Sequence, residues 1–258
     1  ELLLERASKV IAIEKDAKLV EFLNQKFNRE IVSGKLQIIT ADVLNYELRI
    51  MNYALVGNIP YYITGALFKK FLSAQGGSAS GGESIHQPKS MTFVVQKEVA
   101  ERIIGPHFAK ATRGKSKKES ILSISIKVYG TPEFGGVIKA GSFYPRPKVD
   151  SAIIAVRNIS KDNFLRCHLR KLEAKGGTLG NLEKRFFEIL KAGFAHKRKL
   201  LIKNLEKVSK GISPRGTLEE FCPKGFLLTP FDTCGIPEKA RAENLKVEDW
   251  VCLAKELM

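Results

Sequence analysis

Four short runs of aliphatic and β-branched residues recur through the first hundred positions: Val10-Ile11-Ala12-Ile13, Leu36-Gln37-Ile38-Ile39-Thr40, Tyr53-Ala54-Leu55-Val56 and Met91-Thr92-Phe93-Val94-Val95. Each is too short for a buried helix and reads as a strand covered on both faces. Helical stretches lie between them. After the first run Asp16 can cap a helix whose Leu19, Val20, Leu23 and Phe27 fall at helical spacing, and after the fourth a helix is predicted from Glu98 to Ile104. Successive strands with helical crossovers predict an α/β fold with a parallel, doubly wound sheet, in which ligands bind outside the carboxyl ends of the strands. Glu14, Asp42 and Asn58 are therefore expected along one rim.

Past this region the character changes in two steps. Val137 to Arg157 holds two extended stretches around a Pro-rich loop, and beyond about residue 158 only amphipathic segments remain, at Leu182 to Ala195, Arg198 to Val208 and Val247 to Leu257. The chain is accordingly divided into residues 1–158 and a small helical domain, residues 159–258, with the boundary near Asn158 to Lys161. Gln75 to Gly82 is a Gly/Ser-rich surface insertion, and Lys110 to Lys118 carries five basic residues and no acid. The net charge of +16 is shared by both parts, so a surface that meets a polyanion is expected to draw on both.

No apolar run approaches the roughly 20 residues that cross a bilayer, and no membrane partner is expected. Cys167, Cys222, Cys234 and Cys252 form no C-x-x-C pair, and a chain of 258 residues needs no disulfide staple, so reduced thiols are expected. The four histidines show no ligand spacing, and no metal is expected.

The chemistry gathers at the strand ends. A carboxylate there offers two acceptors to a vicinal diol, which suits Glu14 to a ribose, although a solvated strand-end acid is an even alternative. Asp42 is placed to accept from an adenine amine, or simply to cap a turn. The most specific element is Gly57-Asn58-Ile59-Pro60-Tyr61. Adenine's amine is a poor nucleophile because its lone pair is delocalised, so an enzyme must orient it. The Asn58 side-chain carbonyl can accept one amine hydrogen and the Ile59 or Pro60 backbone carbonyl the other. Tyr61 can stack on an extruded base. Four residues alone are equally an ordinary strand-to-loop turn.

The order of longer segments resolves that choice. Val10 to Asp16 (VIAIEKD), Thr40 to Val43, Gly57 to Tyr62, Gln96 to Arg102 (QKEVAER) and Phe143 to Ser151 (FYPRPKVDS) resemble, in sequence and order, the ribosomal RNA adenine dimethyltransferase family. Phe194 to Leu205 and Arg241 to Leu253 resemble that family's helical domain, the latter its small-subunit branch. The resemblance implies a Rossmann-like S-adenosylmethionine-dependent methyltransferase that dimethylates two adjacent adenosines near the 3′ end of small-subunit ribosomal RNA. It implies that Glu14 holds the cofactor ribose, with Lys15 beside it, and that Asp42 holds the adenine amine, with Val43 beside it. Asn58, Ile59 and Pro60 would hold the target amine, with Tyr61 and Phe143 sandwiching the base. Arg113, Lys115, Lys148, Lys197, Arg198 and Lys199 are expected at the RNA, where a solvated face is an equal alternative for the last three. Gln96, Lys97 and Glu98 match a family motif but read as well as a helix start, and Trp250 reads as core.

One departure is evident. The family's first strand and its Gly-rich loop do not occur here, and Glu1 to Ala7 reads as the end of the helix that follows them. A truncated chain, with reduced activity or stability, is therefore expected. The implied protein is a cytoplasmic monomer acting on an assembling small subunit. Two rivals stand beside it: a non-catalytic RNA-binding ribosome-assembly factor, and a large-subunit adenine methyltransferase that confers antibiotic resistance.

Overall fold

The structure, a computed structural model, describes residues 1–73, 86–105, 118–163, 179–209 and 227–257. The Gly/Ser-rich stretch and both Arg113 and Lys115 lie outside these residues. The chain forms two compact units, Glu1–Arg49 and Ile50–Met258.

In the first unit, α1 (Leu2–Arg6) leads into β1 (Val10–Glu14), then α2 (Ala17–Lys26), α3 (Asn28–Val32) and β2 (Leu36–Thr40). The strands pair in parallel, from Val10 opposite Leu36 to Glu14 opposite Thr40. Asp16 caps α2 as its position predicts, its carboxylate accepting the Lys18 N–H at 2.9 Å. Gly34 turns the chain back into β2 at φ 74°, a conformation that favours glycine. The continuous apolar run of β1 predicts full burial, yet all five residues are only half-buried. Leu19 and Phe22 of α2 are exposed, so this helix covers only part of the sheet.

The second unit is built on four strands in the order β3-β4-β6-β5, namely β3 (Ala54–Asn58), β4 (Ser90–Gln96), β5 (Thr131–Ile138) and β6 (Ser151–Arg157). β3 and β4 are parallel, with α4 (Thr64–Leu72) in their crossover, whereas β6 pairs antiparallel with both β4 and β5. A parallel sheet is thus realised at β1/β2 and β3/β4 only. The reason for the change is local: β5 and β6 are joined by residues 139–150 without a crossover helix longer than one turn, and such a connection returns the chain antiparallel. β4 alternates buried and half-buried residues, and α4 covers it through Phe68, whose ring meets Phe93 edge-on at 5.3 Å. α5 (Lys97–Ile104) and α6 (Ile121–Lys127) bury Ala100, Ile103, Ile124 and Ile126 in the same core. β6 is buried at Ser151, Ala152, Ile154, Ala155 and Val156.

Among the described residues beyond Arg157 there are helices and no strand: α7 (Leu179–Gly193), α8 (Leu201–Ser209), α9 (Leu228–Thr233) and α10 (Val247–Glu256). Phe186, Ile189, Leu190, Leu201, Leu205, Phe231 and Trp250 form their core. Glu183 of α7, 2% exposed, fastens this cluster to the sheet region, because it accepts hydrogen bonds from the Tyr129 hydroxyl and, at 3.2 Å, from Ser73 Oγ. Burial, and then the negative charge of Glu183, push the Tyr129 hydroxyl's pKa well above its ordinary value, so it stays a donor.

The expectation of four reduced thiols is corrected for one pair, since Cys234 is disulfide-bonded to Cys252. Cys234 ends α9 and Cys252 lies within α10, and the packing of these helices brings their Cα atoms to 5.8 Å. A separation of 18 residues carries no short-range spacing signal. No described helix is long and apolar enough to cross a membrane.

Candidate active site

Two groups of residues stand at the carboxyl ends of strands, one in each unit. In the first, the Glu14 backbone carbonyl at the end of β1 accepts the Ala41 N–H at 3.0 Å, which sets Glu14 and Asp42 on adjacent strand ends. Glu14 Oε1 accepts the N–H groups of Lys15 and Asp16 at 2.7 and 2.9 Å, so the carboxylate is oriented by its own backbone. Oε2 has no hydrogen-bond partner among the described residues. Asp42 Oδ1 accepts the Leu44 N–H at 2.9 Å, and its backbone carbonyl accepts from Asn45 and Tyr46, so the turn-capping role open in the sequence is realised.

Lys15 reaches across to Asp42, with Nζ 3.0 Å from Oδ2 and its own side chain 77% exposed. An ion pair that exposed is weak and exchangeable. Two oriented, half-buried carboxylates on neighbouring strand ends, with Val43 half-buried beside them, fit a nucleoside that presents a diol to one and an amine to the other.

The second group begins at Asn58, the last residue of β3, opposite Val94. Its side chain is exposed and has no hydrogen-bond partner among the described residues. Gly57 allows the chain to close tightly before it: a Cβ there would lie 3.0 Å from Ile59 Cγ2 and 3.5 Å from the Phe93 ring. Pro60 starts a single 3-10 turn, Tyr61–Ile63, by accepting the Ile63 N–H at 3.1 Å. One lone pair of that carbonyl remains. The Tyr61 hydroxyl is hydrogen-bonded to Ser151 Oγ at 2.7 Å.

Ser151 opens β6 and ends the loop that carries Phe143, so the two predicted base-stacking residues arrive on segments joined at one point. Among the described residues neither ring is stacked on another aromatic side chain. The loop is closed on itself by Asp150. Its Oδ1 accepts the Ala140 N–H at 3.0 Å, its Oδ2 pairs with Lys139 at 3.1 Å, and its backbone carbonyl accepts the Lys97 N–H, at 3.0 Å, at the start of α5. Gln96 and Lys97 therefore serve the strand-to-helix junction. Asp150 and Ser151 stood in a recognised motif, but nothing in the sequence says which bonds they make.

The hydrogen bond from Ala140, and next the Lys139 ammonium, hold the Asp150 carboxyl below its usual pKa. A carboxyl depressed in the folded state contributes stability that is present above its ordinary pKa and lost as pH falls through the depressed value. The stability gap between the protein and its Asp150→Asn variant is therefore expected to be constant near neutrality and to close below the ordinary carboxylate range. Denaturation midpoints at stepped pH measure it, and a gap independent of pH would show the clamp to be inconsequential.

Among the residues expected at RNA, Lys148 is exposed in the Phe143 loop. Lys197, Arg198 and Lys199 are exposed in the turn between α7 and α8, not on a helix. Asn204 of α8, 3% exposed, braces that turn by donating from Nδ2 to the carbonyls of Gly193 at 2.6 Å and His196 at 3.2 Å. No motif or spacing marks Asn204 for that role. Among the described residues no group of three or more His, Cys, Asp or Glu side chains is placed to hold a metal ion.

Known proteins resemble this chain over nearly its whole length. A ribosomal RNA small subunit methyltransferase A from Dehalococcoides mccartyi (strain CBDB1) is 33% identical over 261 residues, covering 99% of this chain and 74% of the relative. The protein of the same name from Mycoplasmopsis pulmonis is 33% identical over 257 residues, covering 99% of this chain and 82% of the relative. Among solved structures, a dimethyladenosine transferase from Plasmodium falciparum superposes with a TM-score of 0.67 at 21% identity, over 98% of this chain and 82% of that one. The 23S rRNA methyltransferase ErmE does so with 0.61 at 22%, over 99% and 84%. These two establish the fold. Residues 1–258 match the model of the ribosomal RNA adenine dimethylase family. With matched relatives above 30% identity, and with carboxylates that fit the nucleoside of S-adenosylmethionine, the chain belongs to that family of S-adenosylmethionine-dependent methyltransferases.

Proposed function

We propose that this chain dimethylates the exocyclic amines of two adjacent adenosines near the 3′ end of small-subunit ribosomal RNA, and that it acts on the RNA within an assembling small subunit. The observation that carries the reading is the exposed Asn58 amide, without a hydrogen-bond partner among the described residues, at the carboxyl end of β3, followed by Ile59, Pro60 and Tyr61, in a chain whose matched relatives are named small-subunit enzymes.

In this reading Glu14 Oε2 accepts from the cofactor ribose, and Asp42 accepts from its adenine amine once Lys15 yields Oδ2. Bound there, S-adenosylmethionine supplies an electrophilic methyl group on a sulfonium. Asn58 Oδ1 and the Pro60 or Ile59 carbonyl each accept one hydrogen of the target amine, which turns its lone pair out of conjugation and along the line of attack. Tyr61 and Phe143 hold the extruded base between their rings. No covalent enzyme intermediate is required. The amine's proton leaves to solvent, and a second round uses the same acceptors with one fewer N–H.

Residues 1–158 would form the catalytic part and residues 159–258 a helical RNA-binding part. Lys148, Lys197, Arg198 and Lys199, together with Arg113 and Lys115, would contact phosphates and set register rather than read sequence. A monomer in the cytoplasm suffices for this chemistry. In a reducing compartment the Cys234–Cys252 bond would exchange with the dithiol.

The test is transfer of labelled methyl from S-adenosylmethionine to small subunits lacking the modification, with nucleoside analysis of the RNA. N6,N6-dimethyladenosine at two adjacent positions is the expected product. Incorporation into large-subunit RNA would favour the resistance-enzyme reading, and RNA binding with no methyl transfer the assembly-factor reading.

A further inference from the structure

We infer that Ser151 is a positioning residue for methyl transfer: its buried hydroxyl fixes the Tyr61 ring in the pose that receives the target base, and it ties that ring to the loop bearing Phe143. The inference rests on the reading of Tyr61 as a base-stacking residue.

Ser151 is wholly buried, and the hydrogen bond to Tyr61 at 2.7 Å is its side chain's link to the loop after β3. Its backbone is held on both sides, because Ser151 pairs with Gln96 of β4 on one side and Ile138 of β5 on the other. The residue before it holds α5 through the Lys97 N–H and closes the Phe143 loop through the Ala140 N–H.

A hydroxyl anchored at such a point removes the freedom of the Tyr61 ring before any base arrives. A ring free to change rotamer would have to be ordered on each encounter, at a cost taken from base capture. Tyr61 is only half-buried, so its hydroxyl has water as an alternative partner and does not need Ser151 for satisfaction. The shared geometry therefore points to orientation of the ring rather than to satisfaction of an otherwise stranded phenol.

The test is a double-mutant cycle on methyl transfer to unmodified small subunits. Tyr61→Phe keeps the stacking ring and removes only the hydroxyl. It is expected to lower kcat about three- to tenfold, the range of one neutral hydrogen bond. KM for the subunit should change less than about twofold, because RNA affinity comes mainly from phosphate contacts. Ser151→Ala should lose the same factor, and the double variant no more than either single one. Cofactor affinity should be unchanged in all three.

Losses that multiply in the double variant would overturn the inference, since they would assign Ser151 an effect independent of Tyr61. A Tyr61→Phe variant with wild-type kcat would overturn it as well, even if Ser151→Ala failed to fold. Tyr61→Ala separates the two levels. If it transfers normally, the base-stacking reading itself is wrong; if it is strongly impaired while Tyr61→Phe is normal, stacking stands and the Ser151 anchor falls.

Discussion

Replacing Asn58 by alanine is expected to reduce methyl transfer by about 10²- to 10³-fold while leaving S-adenosylmethionine affinity within about twofold of the parent. That loss is the size seen when one preorganised hydrogen-bonding group aimed at the reacting atoms is removed. The Asn58 side chain is exposed and has no hydrogen-bond partner among the described residues. Its removal therefore breaks no packing, leaves no buried group unpaired, and should barely move the denaturation midpoint. The effect should fall on kcat, because the amine is conjugated in the ground state and meets the full demand of its acceptors only as it pyramidalises toward the methyl group.

Asn58→Asp is the informative companion. It keeps the acceptor and adds a charge, so it should retain more activity than alanine if accepting an amine hydrogen is the role. Equal activity of the parent and the alanine variant, at saturating subunit and cofactor, would remove Asn58 from the chemistry.

How much of this was legible before the structure differs from element to element. The strand runs were legible because continuous β-branched stretches of four or five residues have few other uses, and all four appear as strands at or near the expected positions. The cap of α2 was legible because Asp16 acts within its own turn. The antiparallel placement of β5 and β6 was not, since pairing direction depends on whether a loop of twelve residues returns the chain or crosses the sheet. The Cys234–Cys252 bond was hidden for a similar reason, as helix packing and not sequence spacing brings the two together.

At the site the residue types were legible and their bonds were not. Tyr61 read as a stacking ring, but its hydroxyl partner lies 90 residues away. Lys15 read as a neighbour of the cofactor, but its contact with Asp42, 27 residues away, was not legible. Arg198 and Lys199 read as the start of the amphipathic segment Arg198 to Val208, whereas both lie in the turn before α8. What fixes it as a turn is Asn204, whose amide takes up carbonyls that the end of α7 leaves open.

That turn leads to the largest expected effect on stability, in Trp250→Ala. Trp250 is wholly buried on α10 and stacks on Phe194 with ring centroids 5.5 Å apart. It also packs so closely on the end of α7 that a Cβ at Gly193 would overlap the indole ring and lie 2.7 Å from a methyl of Leu201. Truncating a fully buried tryptophan costs about 3–5 kcal/mol, out of a total that is about 5–15 kcal/mol for a typical protein. Among the described residues its indole Nε1 has no hydrogen-bond partner, so truncation breaks no polar bond and removes a buried unpaired N–H, which sets the cost toward the lower end of that range. Trp250→Phe should recover more than half of the loss, because it restores a ring against Phe194 and leaves a smaller cavity.

The functional consequence follows from what rests on the indole. Gly193 and Phe194 begin the turn that carries Lys197, Arg198 and Lys199, and Asn204 is bonded to Gly193. If those cations meet phosphates as a fixed group, Trp250→Ala should weaken RNA binding below its denaturation midpoint, at a temperature where circular dichroism still reports folded helices, and should lower the salt dependence of binding. If they act only as a diffuse positive field, stability should fall by the same amount while RNA affinity and its salt slope stay with the parent protein, because the charges themselves are untouched.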